Sequence, residues 1–216
     1  MSRRGAATRG RLLLAARQEL ITRHGVLEVD RTAKRAGVSV GLIYRYYASK
    51  SGLVAAVMED FHRRFSEQVM ASNPFPGASW AERERERTGC AVEFHYHEPL
   101  APVALSRLHL DPAVAVIEAQ QLDAHIELAS RNVAQGQRTG EIRRDLDPRF
   151  AAAMVLGGMR RVIAEALSRE RRPPPQRVAA QLWRFVASVL GLDAGEAERP
   201  PRRRRRGRGP SAVRRD

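Results

Sequence analysis

Cysteine occurs once in the 216 residues, at Cys90, so neither an intramolecular disulfide nor a cysteine-built zinc site can form, a usage that fits a reducing cytoplasm. No apolar run is long enough for a bilayer, because the longest, from Phe150 to Met159, falls well short of a membrane helix. The stretch from Leu12 to Ala16 is too short for the core of a secretion signal and is cut by Arg17. Strand-like alternation of apolar and polar residues is missing. So are a nucleophile–base pair, a glycine-rich phosphate loop and paired carboxylates at a plausible site, which argues against an enzyme. Aromatics are scarce at 6%, and Ala, Leu, Arg and Glu fill long stretches, a composition that favours helix. The expectation is a soluble, cytoplasmic, all-α protein without cofactors.

Acidic residues are the minority sign, 24 against 38 Lys and Arg, and the net charge of +14 is unevenly placed. Residues 1–60 carry +6 and residues 199–216 carry +8, while residues 61–198 sum to zero. A basic head, neutral body and basic tail predict that only the head, and the tail with it, face a polyanion. The tail from 193 to 216, rich in Arg, Pro and Gly, cannot bury a core and is expected to be disordered. It either adds salt-sensitive DNA affinity or serves as a solubilising appendage. Residues 1–8, with Arg3 and Arg4, read as a mobile arm, either laid on DNA or merely solvated.

The most informative stretch is AGVSVGLIYRYYASKSGL, residues 36–53. Ala36-Gly37-Val38-Ser39 reads as a helix end, a glycine turn, an apolar plug and a serine cap, the grammar of a helix-turn-helix. The helix predicted from Val40 to Tyr47 holds three tyrosines and one arginine, too many polar-tipped rings for an ordinary core helix. Val40 and Gly41 fall in its first turn, where a helix in a major groove meets base edges, and Gly41 permits close approach. Tyr44 and Tyr46 can bond phosphates, Arg45 can pair with phosphate or guanine, and Leu42, Ile43 and Tyr47 pack inward. Ser49 caps a further helix whose N–H groups form, with Lys50, a phosphate seat. The alternative for Tyr44 and Tyr46 is a pair of half-buried rings at a domain junction.

This string resembles the N-terminal signature of TetR-type (tetracycline-repressor-like) transcriptional regulators. The resemblance covers about the first third of the chain and rests on AGVS, Gly41, Tyr44, Tyr47 and Ser49-Lys50. It implies a homodimer on a palindromic operator in double-stranded DNA, a small-molecule effector held in the body, and Ser39, Val40, Gly41, Tyr44, Arg45, Tyr46, Lys50, Arg3 and Arg4 as DNA-binding residues. The sequence departs from the pattern between Gly25 and Gly37, which is about two residues short and lacks the usual Ser or Thr cap. Asp30 is the best substitute cap there, and the second helix is expected to start late or fray.

Around this motif, Thr8 is expected to cap a first helix running to about Arg23, with Leu13, Ala16, Leu20 and Ile21 on one face. A long helix from Lys50 to about Ser72 carries Val54, Val57, Met58, Phe61, Phe65 and Val69, and Asn73 to Gly77 breaks the chain. Five further helices follow, about nine in all: from a Ser79–Glu82 capping box to His95, from Leu100 to His109, from Asp111-Pro112 to Arg138, from Asp147-Pro148 to Arg169, and from Gln176 to Leu190. The third of these should turn Ala115, Ala119, Leu122, Ile126, Ala129 and Val133 to one face. The predicted organisation is a three-helix head over 1–50, an effector-binding and dimerisation body over 51–192, and the tail.

Three sets of body residues are singled out. Ala153, Leu156, Gly157, Gly158 and Ile163, facing Val178, Leu182, Phe185, Val186 and Val189, offer apolar surface with small residues. The resemblance makes them an intersubunit four-helix bundle; the alternative is the monomer's own core. Trp80, Phe94, Tyr96, His97, Leu105, Leu108, Ile126 and Met154 are candidates to line an effector pocket, although a core stripe has the same pattern. Cys90, Glu93 and His97 share a helical face, as metal ligands or as polar tips beside a pocket; the spacing lacks HxxxH or CxxC, and no metal is expected. The leading function is a ligand-responsive DNA-binding repressor. A sequence-tolerant basic nucleic-acid-binding protein is the alternative.

Overall fold

A computed structural model describes residues 3–71, 78–106, 108 and 111–192, with side chains from Gly5 onward. Among them are nine α-helices and no strand: α1 Arg3–Thr22, α2 Val29–Ala36, α3 Val40–Tyr47, α4 Lys50–Phe65, α5 Trp80–His97, α6 Ala101–Ser106, α7 Pro112–Thr139, α8 Pro148–Ser168 and α9 Pro175–Leu190. A π-helical turn, Ser66–Met70, prolongs α4. The breaks at Asn73–Gly77 and His109 and the tail lie outside the described residues.

Local chemistry fixes the ends. Gly37 closes α2 with φ of 65°, a left-handed conformation that a Cβ would strain. Ser39 accepts the Leu42 N–H, Ser49 the Gly52 N–H, and Ser79 with Glu82 forms a reciprocal capping box. Asp111 and Asp147 each cap a helix with proline in its first turn.

Hydrogen bonds show which ends of the body helices lie towards the head. Ser51 donates to Asp111 at 2.9 Å, which sets the start of α4 beside the start of α7, next to the head. Trp80 donates its ring N–H to Asn132 and its backbone N–H to Glu141, so α5 begins where α7 ends, away from the head. Tyr96 donates to the Pro173 carbonyl at 2.9 Å, which brings the α8–α9 turn back to the head-proximal end of α5. One core runs from Leu12, Leu20 and Ile43 of the head through Leu53, Met58 and Phe61 of α4 to Leu100, Ile163, Val178 and Leu182 of the body. A second, at the far end, gathers Trp80, Val133, Ile142, Trp183, Val186 and Leu190.

Several sequence expectations need correction. Helix α1 begins at Arg3, so residues 3–8 are helical rather than a mobile arm, and Thr8 lies inside the helix instead of capping it. The buried line of α1 centres on Leu12, Ala16 and Leu20, with Leu13 and Ile21 on its margins. Helix α2 starts at Val29, one residue before Asp30, with Glu28 at the cap position and no side-chain cap bond. Thr32 makes the short helix workable: fully buried, it donates its hydroxyl to the Glu28 carbonyl at 2.8 Å, so an atypical polar residue is satisfied inside the core. In α7 the aliphatic stripe is largely outside: Ala115, Ala119 and Leu122 are exposed, whereas Val114, His125, Val133 and Gly136 are buried. The helix turns a partly polar face inward because α4 offers it His62 and Ser66.

Candidate nucleic-acid interface and the head–body junction

Helix α3 separates its side chains by role. Ile43 and Tyr47 are buried, Leu42, Val40 and Tyr46 are half-buried, and Ser39, Gly41, Tyr44 and Arg45 are exposed, with Tyr44 45% accessible. A large ring left that open on a helix anchored by Ile43 on its other side is placed for an external partner. Burial raises the Tyr47 phenol pKa, opposed by Arg9, whose guanidinium stands 5.9 Å over the Tyr47 ring. Lys50 is exposed in the first turn of α4, where backbone N–H groups point outward. Gly52 is obligatory in this corner, since a Cβ would overlap the Tyr47 carbonyl oxygen. The corner thereby fixes the angle between α3 and α4. Arg3 and Arg4 stand in the first turn of α1.

Head and body meet at a charged junction that sequence reasoning missed. Glu98, at the end of α5, has a side chain only 4% accessible and takes Arg17 of α1 at 2.5 Å on one oxygen, Arg64 of α4 on the other, and the Leu100 N–H at 3.0 Å. Burial alone would raise its pKa; Arg17, the Leu100 N–H and Arg64 outweigh that and hold the carboxyl below the ordinary value. Three helices, one from the head, are thus tied to one carboxylate. The only trace in the sequence is Arg17 interrupting an apolar helix. In the head, Glu19 is 1% exposed and pairs with Arg35 at 3.2 Å, tying α1 to α2.

Inside the body, α4, α5, α7 and α8 enclose a polar and aromatic cluster. His62 lies 3.2 Å from Glu118, which also holds Arg160, and His125 lies 2.9 Å from the Ser66 hydroxyl at the π-helical turn. Phe61, Phe65, Phe94 and His95 stack around them with centroids 5.2–5.9 Å apart. Burial drives the His125 pKa to about 4, with His62 adding repulsion. Burial also lowers that of His95, with Arg160 and His62 adding repulsion. Burial opposes ionisation of Glu118, but His62 and Arg160 outweigh it and lower its pKa.

The candidate pocket residues are not brought together. Phe94 and His97 line a cleft of about 420 Å³ between α4 and α5 with Arg64, Gln68, Val69, Cys90, Glu93 and Glu98. Trp80 is instead a hydrogen-bonded member of the far core, Leu108 is buried in the near core with Tyr96 and Leu105 against it, Ile126 is half-buried, and Met154 is 50% exposed on the outer face of α8. Cys90, Glu93 and His97 share the cleft, yet among the described residues no three His, Cys, Asp or Glu side chains form a set for a metal ion.

The predicted bundle residues divide in two. Ile163, Val178, Leu182 and Val186 close the monomer's own core, which corrects their assignment to a partner-facing surface. Gly157 and Phe185 are exposed, Ala153, Leu156, Gly158 and Val189 are half-buried, and the Phe185 ring lies against Gly158, where a Cβ would come within 2.8 Å. Phe150 (71% exposed), Met154 and Val162 extend this open apolar face of α8. No helix among the described residues is long and apolar enough to cross a membrane.

A glycine-turned pair of short helices, the second offering exposed tyrosine and arginine, joined by a glycine corner to a helical body, has the form of a helix-turn-helix head. Residues 12–57 match the family of bacterial regulatory proteins described as the tetR family, so the head is a TetR-type head. The HTH-type transcriptional regulator BetI of Cronobacter sakazakii is 29% identical over 136 residues, 62% of this chain and 64% of that protein, just under two thirds of its length. The fold is that of the fatty acid degradation regulator FadR from Bacillus halodurans, at a TM-score of 0.66 and 19% identity over 85% of this chain and 99% of that one. It also matches RolR, solved with resorcinol, at 0.61 and 22% over 90% and 95%.

Proposed function

We propose that the chain is a homodimeric, ligand-responsive repressor. It binds a palindromic operator through Ser39, Val40, Gly41, Tyr44, Arg45, Tyr46 and Lys50, with Arg3 and Arg4 as backbone contacts, and leaves it when a small, largely apolar molecule binds the body. The observation that carries this reading is the two-sidedness of α3, with Tyr44 and Arg45 open to solvent behind a buried Ile43. A lone eight-residue helix reads few bases, so two copies at a half-site spacing give the specificity a regulator needs. The open apolar face of α8 and α9, led by Phe150, Met154 and Phe185, supports pairing of two copies there. RolR with resorcinol supports a small-molecule effector. The Glu98 junction is the physical means of response: a ligand acts only as far as it binds one arrangement of head and body better than the other, and the Arg17–Glu98–Arg64 bonds are what such arrangements would differ in.

The test is nuclease protection with the full-length protein, and with a form truncated after Glu198, on DNA from upstream of its own gene and on scrambled DNA at about 0.15 M salt. A two-fold symmetric site protected by both forms is expected. Equal binding to both DNAs, lost with the tail, would instead establish the sequence-tolerant binder.

A further inference from the structure

The α8–α9 turn is a basic surface outside the head. Arg169, Arg171, Arg172 and Arg177 surround an open cleft of about 490 Å³, with Pro173, Pro174 and Gln181 completing its wall. Arg169 pairs with Glu165 at 3.5 Å. Arg171, Arg172 and Arg177 are exposed and have no ion pair or side-chain hydrogen bond among the described residues, although Glu170 and Glu93 lie nearby in the same region. Residues 169–177 carry four arginines against one acid, whereas the rest of the body, 61–168 and 178–198, carries 14 basic residues against 17 acids.

Two features stiffen this cluster. Three consecutive prolines, Pro173 to Pro175, restrict the backbone, and Tyr96 holds the Pro173 carbonyl at 2.9 Å. Tyr96 stands two residues before Glu98, the carboxylate that takes Arg17 of the head, so the turn sits at the head-proximal end of the body. Guanidinium groups are weakly hydrated, planar donors suited to phosphate oxygens. Here they are spread along an open rim, whereas a site for one small anion would converge them on a buried point.

We infer that this arginine rim is a second DNA-backbone contact: when the head occupies DNA, Arg171, Arg172 and Arg177 meet phosphodiesters that α3 does not reach. The inference rests on the DNA-binding reading of the head. It adds a sequence-independent contribution from the body, one that tightens binding without specifying bases.

The experiment measures affinity of the full-length protein for a 40-bp duplex from upstream of its own gene as a function of salt concentration, for the wild type and for Arg171→Gln/Arg172→Gln/Arg177→Gln. Each phosphate contact contributes about 0.9 to the slope of log affinity against log salt, so the triple variant should be shallower by up to roughly 2.7 per protomer. The corresponding triple lysine variant should keep most of the slope, and Arg45→Ala should lose sequence preference while keeping the rim's share. An unchanged slope in the glutamine variant overturns the inference but leaves the head's function intact. Absence of DNA binding by the wild type overturns both. Calorimetry with pyrophosphate separates the remaining source: tight binding that the glutamine variant loses, with an unchanged DNA slope, would make the rim a small-anion site instead.

Discussion

Replacing Glu98 by alanine should loosen the head from the body, and the size of the effect follows from what the carboxylate holds. The substitution removes the partner of Arg17, leaves Arg64 with Asp60 alone at 3.0 Å, and strips the Leu100 N–H, on a fully buried residue, of its acceptor; the two arginine side chains are 26% and 23% accessible. Breaking a buried ion pair by deleting one partner costs about 3–5 kcal/mol. Here both arginines can reach water in part, which reduces that figure, while the stranded amide adds about 1 kcal/mol or more. The expected loss is about 3 kcal/mol, or roughly 6–12 °C in the melting midpoint for a chain of this size. Arg17→Ala should cost less, about 1–2 kcal/mol, because Glu98 keeps Arg64 and its backbone donor. Urea titration followed by circular dichroism gives both numbers. Hydrogen exchange should show α1 losing protection ahead of α7 in the alanine variant. A loss under about 1 kcal/mol, or uniform exchange along the chain, would refute the idea that this carboxylate ties head to body.

Acid should weaken the body through His125. Its folded pKa of about 4 lies below the ordinary 6.5, so the unfolded chain takes up the proton first, and stability falls as pH drops from about 6.5 towards 4. Between pH 7 and 5 this amounts to about 2 kcal/mol, and in His125→Gln that share of the pH dependence of urea midpoints should vanish. Gly52→Ala forces a Cβ against the Tyr47 carbonyl and should destabilise the head by about 2–3 kcal/mol in thermal melts, with DNA affinity falling further than stability alone requires. Phe150→Glu combined with Met154→Glu should shift sedimentation from dimer to monomer with little change in protomer helicity.

How much of this could be read in advance depended on the range of the signal. Ser39, Gly37, Ser49, the Ser79–Glu82 box and the Asp-Pro starts of α7 and α8 act within four residues, and each placed a helix end correctly. The exposure of Tyr44 and Arg45 was legible because ring-rich, aliphatic-poor helices are poor core formers. Burial in the body was not legible, because α7 has apolar residues on more than one side and only its neighbours decide which side wins. Ala115, Ala119 and Leu122 lost to His125 because α4 brings His62 and Ser66 to that interface. Likewise Ile163 and Val178 look the same in sequence as Leu156 and Val189, and only the packing of α8 and α9 on the head-proximal core separates them. Glu98 was invisible for a further reason, since its partners are 81 and 34 residues away.

The same junction limits how far this chain can be treated as two interchangeable parts. A grafted head would bring its own residue at the place of Arg17, and unless that residue is a cation of similar reach, Glu98 would keep only Arg64 and its backbone donor. Hybrids made by cutting between α3 and α4 would therefore inherit a seam with the wrong charge balance, however well the new head folds and reads its own DNA. A working exchange has to carry α1, α4 as far as Arg64 and the end of α5 as a matched set, which places the true border of the replaceable unit well inside the body.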